Sequence, residues 1–284
     1  MIRPRTPKAL KHKGGTPQGY LGGDMALHGK RIVVTRAAHQ QEPFLRALEM
    51  RGAVPIGYPC IDIALTTDTA ALDRALNTLA REKHVWLVLS SQNSVHALKA
   101  RAGALGFRAD ALSHVQVAAV GQKTLAAVKE AFQTETARAS LMPKHFGQDE
   151  LLPLLSAMRK QRVVLLQGNL SDDQLYQALH SNNANVMRVQ AYTTTRVRPS
   201  EPLANKIKAG LVDAITFTCP SSARGCLENL SEEGYAWQQG LGAAIACIGK
   251  STAREVERLG LVPDVIAKTH TLDGLLDALE AHFA

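Results

Sequence analysis

Short apolar, β-branched runs alternate along this chain with stretches whose apolar residues recur at helical spacing. Ile32 to Thr35 is one such run, followed by Phe44, Leu45 and Leu48 and a stop at Gly52, which predicts a strand, a helix and a turn. Asp68 to Ala80 reads as a helix, Val85 to Leu89 as a buried strand and Asn93 to Arg101 as the helix after it. Further strands are predicted over Val115 to Val120, Thr134 to Ala139, Arg162 to Leu166, Ala214 to Thr218, Ala244 to Ile248 and Pro263 to Ile266. Helices are predicted over Thr124 to Phe132, Asp149 to Met158, Ser221 to Asn229, Ser251 to Arg258 and Leu272 to His282. Strands alternating with helices point to parallel α/β sheets, in which ligands sit beyond the carboxyl ends of the strands.

Two extended stretches break the alternation. Val54 to Leu65 contains Pro55 and Pro59, which cannot donate inside a central ladder, so it is expected to leave the first sheet as a connector. Asn185 to Arg198, rich in Val and Thr and ending at Pro199, mirrors it. The chain also repeats itself. Arg31 to Val34 aligns with Arg162 to Leu165, and Phe44 to Leu48 with Leu175 to Leu179, at an offset of 131 (162 minus 31). Trp86 to Ser90 aligns with Ala214 to Thr218, and Val120 to Thr124 with Ile248 to Thr252, at an offset of 128 (218 minus 90). The expectation is an α/β protein of two similar parallel-sheet lobes joined by a two-stranded connector, with domain two inserted into domain one. Domain one takes residues 28–62 plus 198–284, domain two 68–187, and the connecting strands 54–67 and 186–198.

Composition narrows the class. A length of 284 residues with 45% apolar side chains suits two ordinary cores, and neither needs a disulfide or a metal to fold. The four cysteines, Cys60, Cys219, Cys226 and Cys247, form no C-x-x-C pair, and the ten histidines share no metal-ligand spacing, so neither a metal nor a cofactor is expected. No apolar run is long enough to span a membrane and the N-terminus lacks a signal-peptide core, which reads as a cytoplasmic protein. The formal charge is +8, but residues 1–24 carry five basic side chains and one acid. Half of the excess therefore lies in residues 1–27, read as a disordered basic tail, and a mildly basic body fits an acidic small molecule at least as well as a nucleic acid.

The predicted strand ends carry Thr35-Arg36, Ser90-Ser91-Gln92-Asn93, Gly121-Gln122-Lys123-Thr124, Gly168-Asn169, Thr218-Cys219-Pro220-Ser221-Ser222 and Gly249-Lys250-Ser251-Thr252. Small polar residues where a strand turns into a helix leave backbone N–H groups open to carboxylate or phosphate oxygens. Helix capping is the competing account for any one loop. Six such loops from two lobes suggest a large polyanionic ligand between them. No G-x-G-x-x-G, P-loop, H-E-x-x-H or G-x-S-x-G motif occurs, which disfavours a nucleotide cofactor, a zinc protease and a hydrolase nucleophile. Tyr192, at the end of the returning connector, is a hydrogen-bond donor near the mouth of the cleft, or else an aromatic packed on a neighbouring strand.

Taken together, Ile32-Val33-Val34-Thr35-Arg36, the paired strand ends Leu89-Ser90-Ser91 and Phe217-Thr218-Cys219, the paired turns Gly121-Gln122-Lys123-Thr124 and Gly249-Lys250-Ser251-Thr252, and Ala191-Tyr192-Thr193 resemble the uroporphyrinogen-III synthase family over about residues 30–284. Ala37, Ser90 and Cys219 depart from the usual Pro, Thr and Ser. The resemblance implies flavodoxin-like lobes and a hydro-lyase of tetrapyrrole (heme) biosynthesis. Linear hydroxymethylbilane would lose water and close to uroporphyrinogen III with its last ring inverted, whereas uncatalysed closure gives the type I isomer. It implies Tyr192 as the catalytic donor, with Arg36, Thr124, Ser221, Ser222 and Thr252 binding substrate; Ser91 and Asn93 join them on their place at a predicted strand end alone. The partner implied is hydroxymethylbilane, with transient hand-over from hydroxymethylbilane synthase, no nucleic acid and no membrane. A monomer is expected. The rival readings are a non-catalytic two-lobed binding protein for a polyanionic small molecule and a nucleic-acid-binding regulator.

Overall fold

The computed structural model describes residues 26–132, 139–142 and 148–284; the basic tail to residue 25 and most of the strand predicted over Thr134 to Ala139 lie outside them. One sheet has the order β11-β10-β9-β1-β2, built from β1 (Arg31–Val34), β2 (Val54–Gly57), β9 (Ala214–Phe217), β10 (Ala244–Cys247) and β11 (Val265–Ile266). All its pairings are parallel. The other has the order β3-β8-β7-β4-β5-β6, from β3 (Ile61–Leu65), β4 (Val85–Leu89), β5 (Gln116–Val120), β6 (Ala139–Met142), β7 (Arg162–Gly168) and β8 (Asn185–Arg196). It is parallel except where β3 runs antiparallel to β8.

The internal repeat extends to strand register. Ile32 faces Ala214 across β1 and β9, and their counterparts Val163 and Trp86 face each other across β7 and β4. Arg31 faces Val54, as Arg162 faces Asn185. Ala244 faces Ala214, as Gln116 faces Trp86. A one-residue slip would turn every core side chain to the wrong face, so equal registers mean that both sheets bury the same pattern. Ile32 and Val34 pack on one face of the first sheet with Phe44, Leu48 and Leu276, and Val33 on the other with Phe217, Cys226 and Leu230. In the second sheet Leu87 and Leu89 face Leu76 and Leu98, while Trp86 and Val88 face Leu175 and Leu179.

The stretch expected to be one connector from Val54 to Leu65 is two strands. β2 stays in the first sheet, where its edge position accommodates Pro55, and only Tyr58 to Cys60 makes the crossing before β3 begins. The return crossing lies beside it: the Val197 N–H donates to the Cys60 carbonyl at 3.0 Å, and Asn229 Nδ2 donates to the Val197 carbonyl at 2.8 Å. Gly225 brings its helix against this crossing, since a Cβ there would stand 2.6 Å from the Cys60 oxygen. Likewise β8 is not merely a connector. Its first half pairs with β7 as β2 pairs with β1, and its second half leaves to pair with β3.

Helices α1 (Glu42–Met50), α2 (Ala70–Arg81), α3 (Gln92–Ala104), α4 (Gln122–Phe132), α5 (Gln148–Met158), α6 (Gln174–Ser181), α7 (Leu203–Lys208), α8 (Pro220–Glu232), α9 (Lys250–Arg258) and α10 (Leu272–Phe283) connect the strands. The short α7 has no counterpart among the predicted elements. The strand–helix turns that close β4, β5, β9 and β10 start α3, α4, α8 and α9, which brings helix N-termini to the carboxyl edges of the sheets.

Candidate functional site

Tyr192 occupies the point where β8 changes partner, facing Gly168 of β7 on one side and Leu65 of β3 on the other. The register shifts there: Gln167 faces Gln190, but Gly168 faces Tyr192, so Ala191 is an extra residue. Such irregularities re-aim the side chain that follows them. The ring lies over Gly168, where any Cβ would overlap it.

Ser91 N-caps α3, accepting from the Ser94 N–H at 3.2 Å, and its hydroxyl donates to the Tyr192 oxygen at 3.1 Å. The phenol thus receives a hydrogen bond and, as a hydroxyl, can also donate one. Burial raises the Tyr192 pKa above the usual phenol value and the nearby Cys219 thiol adds to the rise, while hydrogen bonds from Ser91 and Asn93 work against it. The phenol is therefore protonated across the physiological range.

Asn93 links the sheets. Gln40, in the turn after β1, donates from Nε2 to Asn93 Oδ1 at 3.2 Å. Gln40 in turn takes hydrogen bonds from Arg36, through its backbone oxygen at 3.2 Å and its Oε1 at 3.3 Å. Among the described residues Arg36 forms no ion pair with an acid. Its pKa is lowered, chiefly by desolvation. A half-buried guanidinium without a carboxylate is suited to an anionic ligand.

A cavity of about 340 Å³ opens on Ser91 and Tyr192. Ser90, Ser91, Gln167 and Tyr192 line it from the second sheet, and from the first lobe Ser251, in the first turn of α9, and His270, in the loop before α10. Ser90, Ser91, Val120 and Gln167 lie at or just beyond the carboxyl ends of β4, β5 and β7, where parallel sheets place their ligands.

The residues read from the sequence are divided by this geometry. Tyr192, Ser91 and Asn93 form one hydrogen-bonded group, and Arg36 joins it through Gln40. Ser221 lies beside them, its Oγ 3.2 Å from Cys219 Sγ. Thr124, Ser222 and Thr252 are buried, and the Ser222 hydroxyl donates to the Cys219 carbonyl at 2.9 Å, so these three side chains do not reach the cavity wall. Gln40, Gln167 and His270 are site residues that the sequence reading passed over, and Ser251 enters it only as part of a strand-end loop. For Gln167 a signal exists, because the repeat pairs it with Arg36. Among the described residues no cluster of His, Cys, Asp or Glu could hold a metal, and no helix is long and apolar enough to cross a membrane.

Residues 42–277 match the family model described as Uroporphyrinogen-III synthase HemD. The chain is 32% identical over 265 residues to the uroporphyrinogen-III synthase of Synechococcus elongatus, covering 90% of this chain and 97% of that protein. It is 28% identical over 259 residues to the chloroplastic uroporphyrinogen-III synthase of Oryza sativa subsp. japonica, covering 88% and 81%. A crystal structure of a mutant uroporphyrinogen III synthase from the extremely thermophilic bacterium Thermus thermophilus shares the fold, with a TM-score of 0.62 at 19% identity over 89% of this chain and 98% of that one.

Proposed function

The chain belongs to the uroporphyrinogen-III synthase family, an enzyme family of tetrapyrrole biosynthesis, and from that premise we propose that the cleft around Tyr192 closes hydroxymethylbilane to uroporphyrinogen III. The observation that carries the reading is the half-buried phenol on the cavity wall, its oxygen 3.1 Å from Ser91 Oγ. The reaction is a dehydration. The hydroxymethyl C–O bond breaks, the departing oxygen takes a proton and leaves as water, and an azafulvene cation remains. Attack by the substituted carbon of the last ring gives a spiro intermediate, which fragments and recloses with that ring inverted, and loss of a proton from the newly bonded ring carbon restores the pyrrole and balances the proton taken by the water. Tyr192 donates its hydrogen bond to the departing oxygen. A phenol is a weak acid, with an ordinary pKa of about 10, so most of the control lies in bending the chain rather than in acid strength.

Arg36, Ser91, Asn93 and Ser221 would bind the polycarboxylate rim. Thr124, Ser222 and Thr252 are proposed as contacts through their helix-start backbone rather than their hydroxyls. A cavity of about 340 Å³ is at the small end for ligand sites, so the lobes must part to admit a linear tetrapyrrole. The lobes are proposed to be residues 28–62 plus 198–284 and residues 68–187, hinged at the two crossings. A cytoplasmic monomer that takes its unstable substrate by transient hand-over from hydroxymethylbilane synthase completes the reading.

The test is to generate hydroxymethylbilane in situ with its own synthase, add this protein, oxidise the products and separate the isomers. Type III in excess over the control without this protein is the expected result. Type I alone would leave a two-lobed binding protein as the better account.

A further inference from the structure

Gln167, the penultimate residue of β7, lines the cavity with Tyr192, Ser91, Ser251 and His270. It is only 4% exposed, and the carbonyl oxygen of its side-chain amide is buried without a hydrogen-bond partner among the described residues. An unpaired buried carbonyl destabilises a folded protein, and an apolar residue of similar shape would remove that burden. The fold thus keeps a buried acceptor, in a residue of the cavity wall, that no other described residue satisfies.

The repeat supplies a counterpart. Gln167 follows Leu166 as Arg36 follows Thr35, at the offset of 131 (167 minus 36) that relates β7 to β1. At matched strand ends, one lobe therefore carries a guanidinium without an acid and the other a neutral amide with an unpaired carbonyl. A cation suits the carboxylates on the rim of a linear tetrapyrrole. An amide carbonyl is an acceptor and suits the pyrrole N–H groups along its inner edge. Turning the terminal amide about its last torsion, which is soft, presents the carbonyl to the cavity.

We propose that Gln167 is a positioning residue that accepts a hydrogen bond from a pyrrole N–H of the linear tetrapyrrole and so registers the chain between the lobes. The inference rests on the synthase reading. It also explains how duplicated lobes distinguish the two ends of their ligand: the matched positions differ in charge, and only one ring of the substrate is inverted.

The experiment compares wild type with Gln167→Leu and with Gln167→Met, measuring KM, kcat, the product isomers and the thermal midpoint. The expected result for each variant is a KM for hydroxymethylbilane raised about 3- to 10-fold, the worth of one neutral hydrogen bond. The variants should keep most of kcat and show a thermal midpoint equal to or above that of wild type. A raised midpoint with KM unchanged would overturn the role, and so would a lowered midpoint with kcat and KM both impaired in the two variants, which would make Gln167 structural. The Met variant keeps the side-chain length and gives the same readout should the Leu variant not fold. Wild type that yields no type III excess would instead overturn the synthase reading on which the inference stands.

Discussion

A Cβ on Gly168 would stand 2.5 Å from Cζ of Tyr192 and 2.8 Å from its hydroxyl oxygen, so the phenol rests on bare backbone. No real Cβ tolerates such a distance, and the ring cannot shift without leaving Ser91, 3.1 Å from its oxygen. Gly168→Ala is therefore expected to eject Tyr192 from its position rather than to unfold the lobe. Turnover should fall about 10- to 100-fold, because small misplacements at a reacting centre cost on that order. Circular dichroism should stay that of wild type, with a thermal midpoint lowered by the roughly 1–3 kcal/mol of an overpacked site. An alanine variant with full activity would show that Tyr192 need not lie where it does.

Removal of the phenol oxygen tests the same group chemically. Tyr192→Phe is expected to slow turnover by about 10- to 100-fold without abolishing it, since general acids contribute about 10²- to 10⁴-fold and a donor this weak belongs at or below the bottom of that range. Burial raises the Tyr192 pKa above its ordinary value, so the protonated donor persists beyond about pH 10. The pH profile of the wild-type enzyme should show no alkaline limb from Tyr192 below that pH. A limb near pH 8 that disappears in Tyr192→Phe would contradict the direction of that shift.

The division between what could be read from the chain and what could not has physical causes. β4 is an unbroken apolar run buried on both faces, as is Val163 to Leu166 within β7, so their existence and parallel neighbours follow from composition alone. β2 was hidden by Pro55, because a proline argues against a central strand and says nothing against an edge. The antiparallel pairing of β3 with β8 depends on where the chain turns between lobes, which no local pattern encodes. At the site, a hydroxyl that caps a helix and one that meets a ligand have the same sequence signature, and burial alone separates Ser91 from Thr124, Ser222 and Thr252. Gln167 reads as an ordinary polar strand end until its buried amide oxygen is found without a partner among the described residues.

Away from the cleft, the crossing between lobes carries a pH-dependent contact. The buried Tyr58 hydroxyl donates to Glu233 Oε1 at 2.6 Å, and Glu233 Oε2 accepts from the Ala204 N–H at 2.7 Å. Burial first, then the hydrogen bond to the carboxylate, pushes the Tyr58 pKa far above that of a free phenol. Burial also pushes Cys247 up to about 12. A folded pKa above the unfolded one means stability fully present below the unfolded value and lost as pH rises through the folded one. Stability should thus begin to fall above about pH 8.5 from the thiol and more steeply above about pH 10 from the tyrosine. Tyr58→Phe should be less stable at pH 7 by about 1–3 kcal/mol, yet lose less between about pH 10 and about pH 11.5. Urea midpoints across that range measure both effects, and parallel curves for the two proteins would remove Tyr58 as the source.

Arg36 makes the opposite exchange, stability against binding. Its guanidinium is desolvated enough to lower its pKa, and Gln40 offers it only two neutral acceptors, at 3.2 and 3.3 Å. A cation left without an acid is a burden on the empty protein and becomes favourable when a carboxylate arrives. Arg36→Met keeps the length of the chain and removes the charge. The variant's thermal midpoint is expected to equal or exceed that of wild type, while KM for hydroxymethylbilane rises about 10- to 100-fold, the worth of a charge-assisted hydrogen bond. Arg36→Lys should restore part of the affinity, because an ammonium supplies charge without the planar fork. The loss should persist at about 0.5 M salt, since a half-buried pair is screened less than an exposed one. Should Arg36→Met lose stability with KM unchanged, the guanidinium would be serving the turn that holds Gln40 against Asn93, and the carboxylates of the substrate would have to be met elsewhere in the cleft.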